Sequence, residues 1–186
     1  MPVVGGDRVN IRSWDIVKVY VAPVGTAVPT DVATALNALF IYLGLMSEDE
    51  YVTSRAEDRN ELRSMGGDLV RTKVTGQTRS FAFTALENTD QVFKAANPGS
   101  TSATVTTITT RSYKKRTALE QAVVVQHEEG SLIMRQIYLR AELFSDGDRQ
   151  AGPSGMWGTP ITGMVYPDSA GLLYTEITND PAAITP

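Results

Sequence analysis

The chain has 186 residues, 17 basic and 21 acidic side chains, and no cysteine. A net charge of -4 argues against a wholly basic nucleic-acid-binding surface, because sequence-independent affinity comes from Lys and Arg neutralising phosphates. The absence of cysteine removes disulfides, thiolate nucleophiles and thiolate metal sites together.

The length suits one domain with arms rather than two domains. Residues 1–7 lack the basic-then-apolar order of a signal peptide, so a cytosolic product that needs no Sec export is expected. The longest apolar stretch, residues 36–46, is too short and interrupted to span a bilayer, and no membrane partner is expected.

Residues 1–13 read as an N-terminal arm and residues 14–178 as the body. Val17, Val19 and Val21 alternate along residues 15–22, the period-two signal of a strand. Pro23, Gly25 and Pro29 break it. Thr30 or Asp31 is placed to cap a short helix with Val32, Leu36 and Leu39 on one face. Residues 40–46 read as extended.

Residues 47–67 are rich in Arg, Glu and Asp and poor in apolar side chains, so they read as a long charged loop. Residues 68–87 alternate as one long strand or a pair, with Gly76 marking a bend or bulge. Asn88 with Gln91 suggests the cap of a helix over residues 88–97, ended by Pro98 and Gly99.

Residues 100–110, almost entirely Thr, Ser, Ala, Val and Ile, read as a strand. The basic run at Lys114, Lys115 and Arg116 reads as the solvated turn that separates it from a strand over residues 119–127. Glu128, Glu129 and Gly130 form a turn before a strand over residues 132–144. There Ile137, Leu139, Ala141 and Leu143 face one way and a wet face is expected on the other. A Gly/Pro-rich stretch, two short strands and a tail over residues 179–186 complete the chain.

No catalytic, metal or cofactor set emerges. His127 is the only histidine, and Glu128 and Glu129 beside it would point to opposite sides of a strand instead of converging on an ion, so it reads as a polar residue entering a turn. There is no Gly-x-Ser-x-Gly elbow. Carboxylates at Glu48 and Asp49, or at Asp146 and Asp148, fall in turn-like segments where solvated acids are the rule. Trp14 and Trp157 read equally as core or interface anchors. A β-rich body with a charged loop and two tails leaves strand edges open to a neighbouring chain, and head-to-tail contacts then give rings or filaments.

Two stretches sharpen this. Leu43-Gly44-Leu45-Met46-Ser47-Glu48-Asp49-Glu50 and Gly66-Gly67-Asp68-Leu69-Val70-Arg71-Thr72 resemble, in order and spacing, motifs of phage tail tube proteins, and Phe81–Asn88 followed by Val92-Phe93-Lys94 fits the same continuation. The resemblance covers roughly residues 14–97, more loosely to Ser145, and departs from the family at Leu45, Glu50 and Met65.

The resemblance implies a mainly β fold of two packed antiparallel sheets, sandwich- or barrel-like, with one short flanking helix. It also implies a structural, non-enzymatic homo-oligomer: six-fold rings stacked into a hollow tail tube of a siphovirus-type virion, made in the host cytoplasm. Its partners would be the tape measure, tail terminator and baseplate or distal tail proteins, with DNA passing and not bound specifically.

The segment 47–67 would reach a neighbouring subunit. Its contact residues would be Tyr51, Val52, Arg55, Glu57, Asp58, Arg59, Glu61, Leu62, Arg63 and Met65, with Gly66, Gly67, Asp68 and Arg71 forming the motif turn. The charged members would set register, and Tyr51, Val52, Leu62 and Met65 would supply apolar burial. The wet faces of the two longest hairpins are expected to line the channel. The competing readings are a tail completion or capping protein, and a β-sandwich ligand-binding module; the latter is disfavoured because aromatics make up only 8% of the chain and form no cluster in the sequence.

Overall fold

The computed structural model describes residues 11–48, 51–149 and 157–181. Ten strands and one helix occur among them: β1 (Ile16–Pro23), β2 (Ile41–Tyr42), β3 (Val52–Arg63), β4 (Leu69–Ala85), α1 (Asp90–Ala96), β5 (Thr101–Val105), β6 (Ile108–Ser112), β7 (Glu120–Glu129), β8 (Leu132–Phe144), β9 (Thr159–Val165) and β10 (Thr175–Thr178). The fold is mainly β, with two antiparallel sheets and a single short helix, and no closed barrel. The larger sheet runs β2-β1-β7-β8-β9-β4-β3, with β10 joining β8 beside it; the smaller is the β5–β6 hairpin.

One core is built by a single sheet curling over itself. Val19 and Val21 of β1 share a buried cluster with Phe81 and Phe83 of β4, Val123 and Val125 of β7, and Tyr138 and Leu143 of β8. Each such side chain contributes about 1.5–3 kcal/mol by leaving water. Residues 43–47 link the two ends of the curl. Leu43 donates its backbone N–H to Val19 at 2.9 Å, Leu86 donates to Leu45 at 2.9 Å, and Ser47 donates to Thr84 at 2.8 Å. Gly44 turns that link with φ of +86°, and the Glu87 carboxylate occupies the space where a Cβ would stand. The motif at residues 43–47 is thus a clasp between β1 and β4.

Helix α1 covers this core with Val92, Ala95 and Ala96. Its cap is Thr89, whose hydroxyl accepts from Val92 N at 3.3 Å, and not Asn88. Asn88 is engaged by the Arg111 guanidinium, which donates to both its side-chain and backbone oxygens.

Several expectations are corrected. The expected wet face of β8, that of Gln136, Tyr138, Arg140 and Glu142, is covered in part, with Tyr138 buried in the first core. Ile137, from the expected apolar face, packs instead in a second cluster with Ala122, Val124 and Phe40, under Val28, Leu36 and Ile177. A register shift opposite residues 121–123 switches faces along β8, so Tyr138, Ala141 and Leu143 point to the first core and Ile137 to the second. The helix expected after Asp31 does not form. Asp31 does accept from Ala33 N and Thr34 N, as a cap would, but Arg135 donates to the carbonyls of Asp31 at 2.9 Å and Thr34 at 2.7 Å. Those acceptors are thereby taken from a helical ladder.

Residues 100–110 are not one strand but the β5–β6 hairpin, turning at Thr106 with φ of 58°. The sequence carries no Gly, Asn or Asp there to signal a turn. The basic run is no hairpin turn; Arg116 lies 4.1 Å over the Phe144 ring and pairs with Glu142. Glu128 and Glu129 belong to β7, leaving a two-residue turn at Gly130 and Ser131.

Most of the expected arm (1–13) and tail (179–186) lies outside the described residues. Their inner ends are pinned together: Arg12 donates to both carboxylate oxygens of Asp180 at 2.5 Å. No helix among the described residues is long and apolar enough to cross a membrane.

Candidate functional site

The segment expected to be a loop is mostly a strand. β3 pairs with β4 along its whole length, from Val52 opposite Ala82 to Arg63 opposite Leu69. Alternating charge conceals this, because neither face of the strand is apolar, and period-two hydrophobicity is the usual sign of a strand. Backbone pairing with β4 is what makes it one. The register slips beside Asp58, where Thr75 is left over, so Gly76 does mark a bulge.

Only the root of this hairpin is held by the body. β9 pairs β4 from Arg79 to Ala85, whereas Leu69–Thr75 of β4 and all of β3 except Glu57 are exposed. Beyond Arg79 the hairpin is a two-stranded ribbon with no covered face. At ~3.4 Å per residue it projects about 30 Å.

The contact residues expected from the sequence divide into three groups. Tyr51, at the root, is largely buried: its hydroxyl lies 3.0 Å from that of Tyr138 and donates to Gln136 at 3.1 Å. Burial and the neighbouring Tyr138 push its pKa upward, and burial pushes Tyr138 up to about 12. Tyr51 pins the ribbon to the body.

The charged residues line up along one face of β3. Arg59 donates to Glu57 at 2.8 Å, Arg55 takes the other Glu57 oxygen, and Arg63 donates to Glu61 at 2.7 Å. Arg59, then Arg55, hold the Glu57 carboxyl below the usual carboxylate range. Asp58 points to the other face, its carboxylate standing against Gly76.

The third group makes the tip. Gly67, with φ of +88°, donates to Ser64 O, and Ser64 N donates to Asp68 O at 2.8 Å. Gly66, Gly67 and Asp68 therefore form the turn, and Arg71 stands beside it opposite Leu62. Met65 is fully exposed. Around it Leu62, Leu69 and Val70 are all at least half exposed. Val52 is partly exposed near the root.

Sequence reasoning missed a second feature. A cleft of about 560 Å³ opens beside the clasp, lined by Trp14, Ile16, Leu45, Tyr51, Phe83 and His127 among others. His127 is a core strand residue and not a turn residue: it packs against the rings of Trp14 at 5.8 Å and Tyr51 at 5.1 Å. Burial lowers its pKa, and its Nε2 has no hydrogen-bond partner among the described residues. The aromatics that looked scattered in sequence cluster here, with Phe81 and Tyr138 rings 4.7 Å apart in the interior. Trp157 lies apart, half exposed beneath Arg149.

Among the described residues no group of three or more His, Asp or Glu is placed to hold a metal ion. What the surface offers is a long ribbon with an apolar tip, open strand edges and an aromatic cleft. Comparison with curated proteins finds none that matches. A family model described as phage tail tube protein matches residues 6–186, nearly the whole chain, and the chain belongs to that family as a structural component of the virion tail.

Proposed function

We propose that this subunit polymerises as stacked hexameric rings into the hollow tail tube of a siphovirus, and that the β3–β4 ribbon joins each subunit to a neighbour. The observation that carries the reading is the ribbon itself. A two-stranded hairpin in water is marginally stable, and this one exposes both faces over most of β3 while presenting a strand edge and an apolar tip. A neighbouring subunit that covers it stabilises it and makes the assembly directional. Contact between unlike surfaces, tip on one side and body on the other, closes into rings or extends into filaments.

Its intrastrand ion pairs are exposed, and such pairs contribute about 0–1 kcal/mol each. Their role is to fix register and exclude wrong partners, while apolar side chains supply the holding energy. The tube conducts DNA during ejection without holding it; the net charge of -4 supports this, because a wall that neutralised phosphates would retain the genome. Host-cytoplasm synthesis and contacts with tape measure, terminator and baseplate proteins belong to the same reading.

The test is negative-stain electron microscopy of the purified protein across a concentration series, beside size-exclusion chromatography. Rings or hollow tubes of uniform width are expected. A protein that remains monomeric at the highest concentration, also with tail initiator proteins added, refutes it.

A further inference from the structure

The ribbon's tip and the aromatic cleft are two apolar features of the surface, one convex and one concave; the β5–β6 hairpin carries a second exposed apolar tip at Val105 and Ile108. Met65 stands fully exposed with Leu62, Leu69 and Val70 around it. The cleft is walled by Trp14, Tyr51 and Phe83, and its rim carries Ile16 and Leu45, themselves 48% and 63% exposed. Its volume, about 560 Å³, is in the range of pockets that hold a small ligand or an anchoring side chain.

The two features cannot meet within one chain. Tyr51 lines the cleft and immediately precedes β3, whose twelve paired residues then carry the chain ~40 Å away before the turn at Met65. Whatever fills the cleft with this tip must be a second molecule.

Charge points the same way. Asp15 and Glu48 line the cleft, while Arg71 and Lys73 beside the tip outnumber the one acid of its turn, Asp68, and Arg63 there is paired with Glu61. Chemistry inside the cleft also suits the tip. A methionine thioether packs favourably against aromatic rings. His127 in the cleft wall, only 5% exposed, keeps its Nε2 without a hydrogen-bond partner among the described residues, although that atom is itself closed to solvent. Gly66 and Gly67, with no side chains, let the tip's backbone come close.

We propose that the Met65 tip of one copy of this chain inserts into the Trp14–Tyr51–His127 cleft of the next, a head-to-tail contact between unlike surfaces. The inference rests on the assembly reading above and adds the receptor to it.

A chain without cysteine makes the test clean. Met65→Cys and Leu45→Cys replace two exposed side chains, so neither variant removes core packing. The double variant is oxidised and run on a non-reducing gel, and the same sample is imaged by negative stain. A disulfide needs Cα atoms within about 7 Å, so it reports seating and not mere proximity.

Expected is a ladder extending well beyond dimer, lost on reduction, with each single variant stopping at dimer. Rings or tubes without a ladder overturn the docking and leave the assembly reading intact. A double variant that stops at dimer, or that forms only an intramolecular bond, also overturns it, because the contact is then reciprocal or within one chain. A ladder without rings or tubes supports the docking and counts against the ring-and-tube reading. Monomer with no ladder overturns both.

Discussion

Residues 81–85 and residues 69–75 lie on the same strand, share the same extended backbone and differ in almost everything else. Phe81, Phe83 and Ala85 are buried in the core between β9, α1 and the clasp, whereas Leu69, Val70 and Val74 are each more than half exposed. Residues 69–75 pair with β3 alone, whereas residues 81–85 pair with β9 throughout and with β3 only at Phe81 and Ala82. One ladder to β3 is enough to make the distal half a strand, while the proximal half adds a ladder to β9 and a buried face. The body has a packed core, and the ribbon leaves its side chains uncovered.

The largest effect expected from breaking that contrast is in the body. Phe81→Ala removes a ring stacked among Tyr51, Phe83 and Tyr138, and should cost about 3–5 kcal/mol in denaturant unfolding of the monomer. A loss under 1 kcal/mol would mean that the core is not where stability resides.

A smaller effect is expected with pH. His127 is buried with a folded-state pKa below its ordinary 6.5, so the unfolded chain binds more protons in acid. Its contribution is fully present above pH 6.5 and is lost as pH falls through the folded value. A pH series of denaturation midpoints should decline below pH 6.5, and His127→Phe should flatten that decline; an unchanged slope in the variant would assign it to carboxylates elsewhere.

The smallest effect belongs to the ribbon. Glu57→Gln removes the shared partner of Arg55 and Arg59, whose own side chains are exposed, and should leave monomer stability almost unchanged. If assembly registers on this ladder, the same substitution shifts the concentration at which rings appear while leaving the unfolding midpoint in place. A large change in monomer unfolding would show instead that the ribbon is stable by itself.

Much of the fold was legible from local pattern. The period-two alternation of Val17, Val19 and Val21 located β1, the run ending at Phe144 located β8, and the Gly66-Gly67 pair located the ribbon's turn. Short-range signals sufficed there because strand conformation, turn geometry and helix termination depend on residues a few positions apart. The ribbon's residues read as a charged loop, because their charge is local while their pairing with β4 is not.

What only the tertiary structure decided is what covers what. Both faces of β8 are buried because residues 28–40 and β10 return to shield the second one, and Asp31 caps no helix because Arg135, a hundred residues away, takes its carbonyl. The cleft draws Trp14, Leu45 with Tyr51, Phe83 and His127 from four separate stretches, so no local window contains it. Sequence periodicity states which side chains avoid water; which distant segment supplies the shelter is set by the way the sheet curls, and that is a property of the whole chain.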